Sequence, residues 1–216
     1  ILLFLISFNG VAQDKAIIDS LSLELRKATV DTTKLIIENN LEEAKWNMRI
    51  PYWDSLANRA LKLNLPKIQA DALNNIGFIY QQQGRLKEAL NYYERSLKIR
   101  EEIGHKNGIS ESLAAIGGIY KRKGQLNKAM DYFNRSLKVS KEIGYKEGIA
   151  TSLSNVANIY YDQGQIKDAL DYNTKSLKIR EEIGDKNGIA TSFNSIANIY
   201  YDQGQIKDAL DYFDKA

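Results

Sequence analysis

Residues able to do chemistry are scarce in this chain, and their arrangement argues against a reaction. His105 is the only histidine and there is no cysteine, which excludes disulfides, thiolate metal sites and cysteine nucleophiles. A metal site would need further ligands around His105, and none cluster there. Its equivalents forty residues apart, Tyr145 and Asp185, lie in the same loop, so a solvated loop residue is expected at this position. Asp162, Asp168 and Asp171 recur as Asp202, Asp208 and Asp211. Acids repeated on helix surfaces read as solvated faces rather than as an acid/base pair. Glu101-Glu102 and Glu181-Glu182 sit beside Lys98, Arg100, Lys178 and Arg180, which reads as pairing along a helix surface. The glycines fall at repeat spacing as helix stops, not in a strand-to-helix phosphate loop. No catalytic residue, no metal ligand and no cofactor are therefore expected.

The elements that carry these residues follow from internal repetition. Gly84, Gly124, Gly164 and Gly204 are forty residues apart, as are Tyr80, Tyr120, Tyr160 and Tyr200, and Ala89, Ala129, Ala169 and Ala209. Gly104, Gly144 and Gly184 form a further series, and Gly108, Gly148 and Gly188 another. The segment ANIYYDQGQIKDALDY stands at 157–172 and again at 197–212. Each unit reads as two amphipathic helices. The first runs from about Ile109 to Lys123, with Leu113, Ile116, Gly117 and Tyr120 on one buried stripe. Gly124 ends it, since glycine disfavours helix interiors and readily takes the left-handed cap. The second starts near Leu126, buries Ala129, Met130, Phe133, Leu137 and Ile143, and stops at Gly144. Residues 144–148 form the loop to the next unit.

Small residues at Gly77, Gly117, Ala157 and Ala197 let the helices of a pair approach, and the tyrosine series is expected to fill the gap opposite them. No pair buries enough surface to fold alone, so neighbours must stack. Composition agrees: 44% hydrophobic and 26% charged is an ordinary globular balance. The net charge of +3, with lysines and arginines interleaved among acids, gives no reason to expect nucleic acid.

These residues resemble the tetratricopeptide repeat. From Ala70 the unit matches its pattern with Leu73, Ile76-Gly77, Tyr80, Gly84, Ala89, Tyr93 and Ser96. Later units match equally, except that Asn173 replaces the aromatic, which is expected to weaken packing between the third and fourth units. The usual proline after the second helix is absent, replaced by a longer helix ending in EEIGHKNG or EEIGDKNG. The forty-residue length is similar to the subclass found in kinesin light chains and spindle-orientation adaptors. The resemblance implies an all-α, right-handed superhelical solenoid of antiparallel helix pairs spanning residues 70–216, the last repeat being incomplete. Residues 13–69 read as an N-terminal helical region. Within it, residues 30–66 hold a degenerate repeat whose register slips by about four residues; Pro51 separates two helical stretches, and Trp46 and Trp53 cap the open end.

The resemblance also implies a function: the first helices line a concave groove that holds a peptide or protein segment. Carried over position by position, that groove comprises Asn74, Phe78 and Gln81; then Glu111, Lys121 and Arg122; then Ser154, Asn158, Tyr161 and Asp162; then Asn194, Asn198, Tyr201 and Asp202. Asparagine amides suit a peptide backbone because they donate and accept at once, and tyrosine adds rigid contact area. The family's clamp for C-terminal carboxylates is not reproduced, so chaperone-tail binding is not implied. The expected role is a protein-interaction scaffold without catalytic activity. The alternative is the sensory region of a larger bacterial signalling protein, with a histidine kinase, cyclase or transcription regulator as its output.

The apolar run at residues 1–8, followed by Gly10, Ala12 and the polar Gln13, reads as the remnant of a signal peptide ending at Ala12. An exported, periplasmic or membrane-anchored location is expected. Ile1 is not a methionine and Ala216 stands in mid-repeat, so a longer parent chain is expected as well.

Overall fold

The structure, a computed structural model, describes residues 50–216. The expected leader, Trp46 and the start of the degenerate repeat lie outside the described residues. Those described form helices joined by tight turns, with no strand among them: α1 (Ile50–Lys62), α2 (Pro66–Gln82), α3 (Leu86–Glu102), α4 (Lys106–Arg122), α5 (Leu126–Glu142), α6 (Lys146–Asp162), α7 (Ile166–Ile183), α8 (Lys186–Asp202) and α9 (Ile206–Phe213). Two compact units result, one ending at Ile103 and the other starting at Gly104.

Left-handed residues set the turns. Gly124 at φ 70° turns α4 into α5, and Gly144 at φ 66° turns α5 toward α6; a side chain is strained in this region. Between α1 and α2 the same task falls to Asn64 at φ 53°, a residue type that tolerates it. Asn64 stands forty residues before Gly104. The repeat register therefore does not slip: α1 ends, and α2 begins, forty residues before α3 and α4 do. Pro51 sits in the first turn of α1 and Pro66 opens α2, where a missing N–H costs nothing. Trp53 takes the place of the core aromatics Tyr93 and Phe133. It is buried with Leu56, Ala57, Ala60 and Leu73 rather than placed as a cap.

The pairs α2–α3 and α4–α5 are each joined by an aromatic seated on a glycine. A Cβ added at Gly77 would lie 2.9 Å from the Tyr93 ring, and one at Gly117 would lie 2.6 Å from the Phe133 ring. The second-helix aromatic therefore fills the gap that the tyrosine series was expected to fill. The tyrosines stack on second-helix partners instead: Tyr80 on Tyr92, Tyr120 on Tyr132 and Tyr200 on Tyr212, with centroids 5.4, 5.3 and 5.5 Å apart. The position taken by Asn173 belongs to this contact inside a pair, not to packing between the third and fourth units.

Alanines at 89, 129, 169 and 209 are buried as expected. Buried serines were not anticipated. Ser96, Ser136 and Ser176 donate to the carbonyls of Ala70, Ser110 and Ala150 at 2.8, 2.8 and 2.7 Å. Each thus ties the second helix of a pair to the first without an unpaired hydroxyl.

The first helices begin three residues earlier than expected, at Lys106 rather than Ile109, so Gly148 and Gly188 are helical. They are small because the N-cap side chain and the preceding helix end both come close: a Cβ at Gly148 would meet the Tyr145 ring and lie 2.5 Å from Ser140 Oγ, and one at Gly188 would meet the Asp185 carboxylate and lie 2.7 Å from Arg180. Arg100 and Arg180 are buried, not surface partners of the adjacent acids. Arg100 pairs with Asp71 at 2.7 Å. Arg180 donates to the Gly188 carbonyl and to Ser192 at 2.7 and 2.9 Å, and burial pulls its pKa below the usual arginine range. Glu142 and Glu182 reach instead to Lys106 and Lys146, at 3.3 and 3.1 Å.

Candidate functional site

In the first unit Asn74, Phe78 and Gln81 all lie half-buried on α2. Gln81 is committed to the pair, its Oε1 accepting from the Tyr93 hydroxyl at 2.8 Å. The second unit holds the other groove candidates of the row: Lys121 and Arg122 end α4, Ser154, Asn158, Tyr161 and Asp162 lie on α6, and Asn194, Asn198, Tyr201 and Asp202 lie on α8.

Helix register brings several of these together. Lys121 Nζ lies 3.3 Å from the Asp162 carboxylate, and the Tyr161 hydroxyl donates to the Asp202 carboxylate. Successive first helices α4, α6 and α8 are thus laced edge to edge at their C-terminal turns. An ion pair this exposed is worth at most about 1 kcal/mol, so the lacing fixes geometry more than it adds stability. Other candidates drop out of the row. Ser154 bonds Ser176 at 2.9 Å and so belongs to the pair contact. Glu111 accepts from the Tyr145 hydroxyl at 3.4 Å, near the helix starts and away from Lys121.

Asn158 and Asn198 differ from their neighbours. Their side chains make no hydrogen bond within the described residues, Asn158 being half-buried and Asn198 exposed. One repeat earlier the position is Gly118, where an added Cβ would meet nothing within 4 Å. Sequence reasoning missed Gly118, although subtracting forty from Asn158 points to it. The row Gly118, Asn158, Asn198 is therefore open and flanked by the laced residues. Tyr201, 58% exposed, repeats Tyr161 at its end.

The loop row behaves differently from expectation. His105 and Tyr145 are half-buried N-caps, and Asp185 caps α8 by accepting from the Gly188 N–H at 2.9 Å. Burial first, then the Glu111 charge, pushes the Tyr145 phenol up to about 12. An unfolded tyrosine ionises near pH 10, so the folded state prefers the neutral phenol. The stability this contributes is complete below about pH 10 and is lost as pH rises through about 12. In a spectrophotometric titration a phenolate step should appear near pH 12, and Tyr145→Phe should diminish it. A wild-type titration that Tyr145→Phe leaves unchanged near pH 12 would contradict the burial.

Among the described residues no three histidine, cysteine or acidic side chains group as metal ligands, and no helix is long and apolar enough to cross a membrane. The helix pairs have counterparts in known proteins. The family model for the tetratricopeptide repeat matches residues 68–142 and 148–216. The chain belongs to the tetratricopeptide repeat family. The tetratricopeptide array is a protein-interaction scaffold. Solved structures share its fold, among them the following three. BtubC from P. vanneervenii is 19% identical, with a TM-score of 0.71 over 95% of this chain and 90% of that one. A Rap protein complexed with Competence and Sporulation Factor is 18% identical, with a TM-score of 0.75 over 91% of this chain. The array spans only 56% of that Rap protein's length. A putative kinesin light chain with nearly identical TPR-like repeats, from Podosopora anserina, is 13% identical, with a TM-score of 0.58 over 96% and 95% of the two chains. No curated protein sequence matches the chain.

Proposed function

We propose that the array holds an extended segment of another protein along the exposed row of its first helices in the second unit, with Asn158 and Asn198 as the recognising groups. The observation that carries this reading is a division of labour. Lys121, Asp162, Tyr161 and Asp202 satisfy one another, whereas the two asparagine amides make no internal bond. An amide left open in this way offers one donor and one acceptor to a peptide unit. Two amides at equivalent positions on successive helices would hold an extended backbone in register. The tyrosines beside them contribute contact area. The Rap structure complexed with Competence and Sporulation Factor is a case of this fold in a complex, which supports the same use here.

The test is a pull-down from host extract with wild type and with Asn158, Tyr161, Asn198 and Tyr201 all changed to alanine. Circular dichroism first establishes that the variant stays helical. Loss of the wild-type partners is the expected result. An unchanged partner set would refute the row as the binding surface.

A further inference from the structure

A second-helix aromatic, Tyr93 or Phe133, is the peg that joins α2 to α3 and α4 to α5, and the pair α6–α7 lacks it. In α4–α5, Phe133 is 1% exposed and lies against Gly117. The equivalent positions of α6–α7 hold Asn173, 1% exposed, and Ala157, fully buried. Asn173 Oδ1 has no hydrogen-bond partner among the described residues. An amide fills less space than a phenyl ring, and its desolvation goes unreturned when it is unbonded. The remaining buried positions of α7 copy α5: Ala169, Ser176 and Leu177 match Ala129, Ser136 and Leu137. The serine bond to the first-helix carbonyl is present in both pairs, so it does not distinguish them. On the first helices, Ala150 replaces Ser110, which bonds Ser136 and Ser140, and Val156 replaces Ile116. On the second helices the other buried difference is Arg180, which stands where α5 has Ser140. Arg180 binds Gly188 and Ser192 of α8 and so ties α7 forward rather than back to α6.

We propose that the α6–α7 contact is a soft joint of the array, where the two helices part and re-close within the folded protein more readily than α4 and α5 do. In a repeat protein each interface contributes separately, so one weakened contact opens without global unfolding. Asn158 and Tyr161 ride on α6, so the joint lets the proposed binding row shift relative to the helices behind it. That consequence rests on the groove reading; the joint itself does not.

The cysteine-free sequence permits a direct test without any ligand. Ala129 and Ala169 are equivalent and fully buried. Thiols introduced singly by Ala129→Cys and Ala169→Cys are labelled with a maleimide under native conditions. The thiol at 169 should react at least about tenfold faster, because opening of the unbonded pair exposes it more often. Adding Ala157→Gly with Asn173→Phe should slow it toward the rate at 129. If that repair does not fold, Asn173→Leu alone should slow it in part. The reciprocal change, Gly117→Ala with Phe133→Asn, should quicken labelling at 129. Equal rates at 129 and 169 would overturn the proposal. So would a fast rate at 169 that the folded repair leaves unchanged, which would mark simple fraying from the nearer chain end.

Discussion

Phe133→Ala should lower stability by about 3–5 kcal/mol. Phe133 is the largest fully buried side chain among the described residues. It fills the space that Gly117 leaves, within 2.6 Å of where a Cβ there would stand. Truncation loses the ring's burial and leaves a cavity, because a helix pair pinned on both sides collapses only partly. The two positions should also couple. Gly117→Ala alone overpacks against the ring and should cost about 1–3 kcal/mol. In the Phe133→Ala background the same change should cost less, since the added methyl meets no ring. Denaturant melts of the two single variants and the double variant check this. Additive losses would show that the ring and the glycine do not form one contact.

Ala169→Leu should cost about 1–3 kcal/mol, because added methylenes are forced into a fully buried helix contact. Its neighbour Asp168 is exposed, and Asp168→Ala should change stability by less than about 0.5 kcal/mol. The pair of variants reads out which face of α7 is inward. Equal effects in denaturant melts would mean that the face is wrongly assigned. The soft joint refines this expectation: if α6 and α7 separate readily, the loss at 169 should fall below that of Ala129→Leu.

The fold was legible because its signals repeat. Glycine at a turn and alanine at a crossing each recur at forty-residue spacing, and chance does not keep that register. What the sequence concealed were substitutions of one residue type for another in the same structural place. Asn64 does a glycine's work with a left-handed backbone. Trp53 does the work of Tyr93. Neither is visible to a pattern that looks for identity, so the first repeat looks out of register in the sequence. Arg100 and Arg180 read as surface residues for a related reason. A helix-surface pattern of alternating charges says which groups are near one another in sequence, but it does not say which stem faces the next helix. The buried guanidinium of Arg180 finds a carbonyl and a hydroxyl on α8 that lie 8 and 12 residues away. The binding row was legible in position but not in use. Periodicity puts Ser154, Asn158 and Tyr161 on one helix. Only the structure separates Ser154, which is spent on Ser176, from Asn158, which is not.

If a partner segment lies along the row marked by Asn158 and Asn198, site-specific photo-crosslinking should capture it there. A photoreactive amino acid is introduced at Asn198 in one variant and at the exposed second-helix position Asp168 in another, each in the full chain expressed in its host. Discrete adducts of a partner protein are expected from position 198 and none from 168. Adducts from 168 with none from 198 would contradict binding along the row and move the binding surface to the second helices.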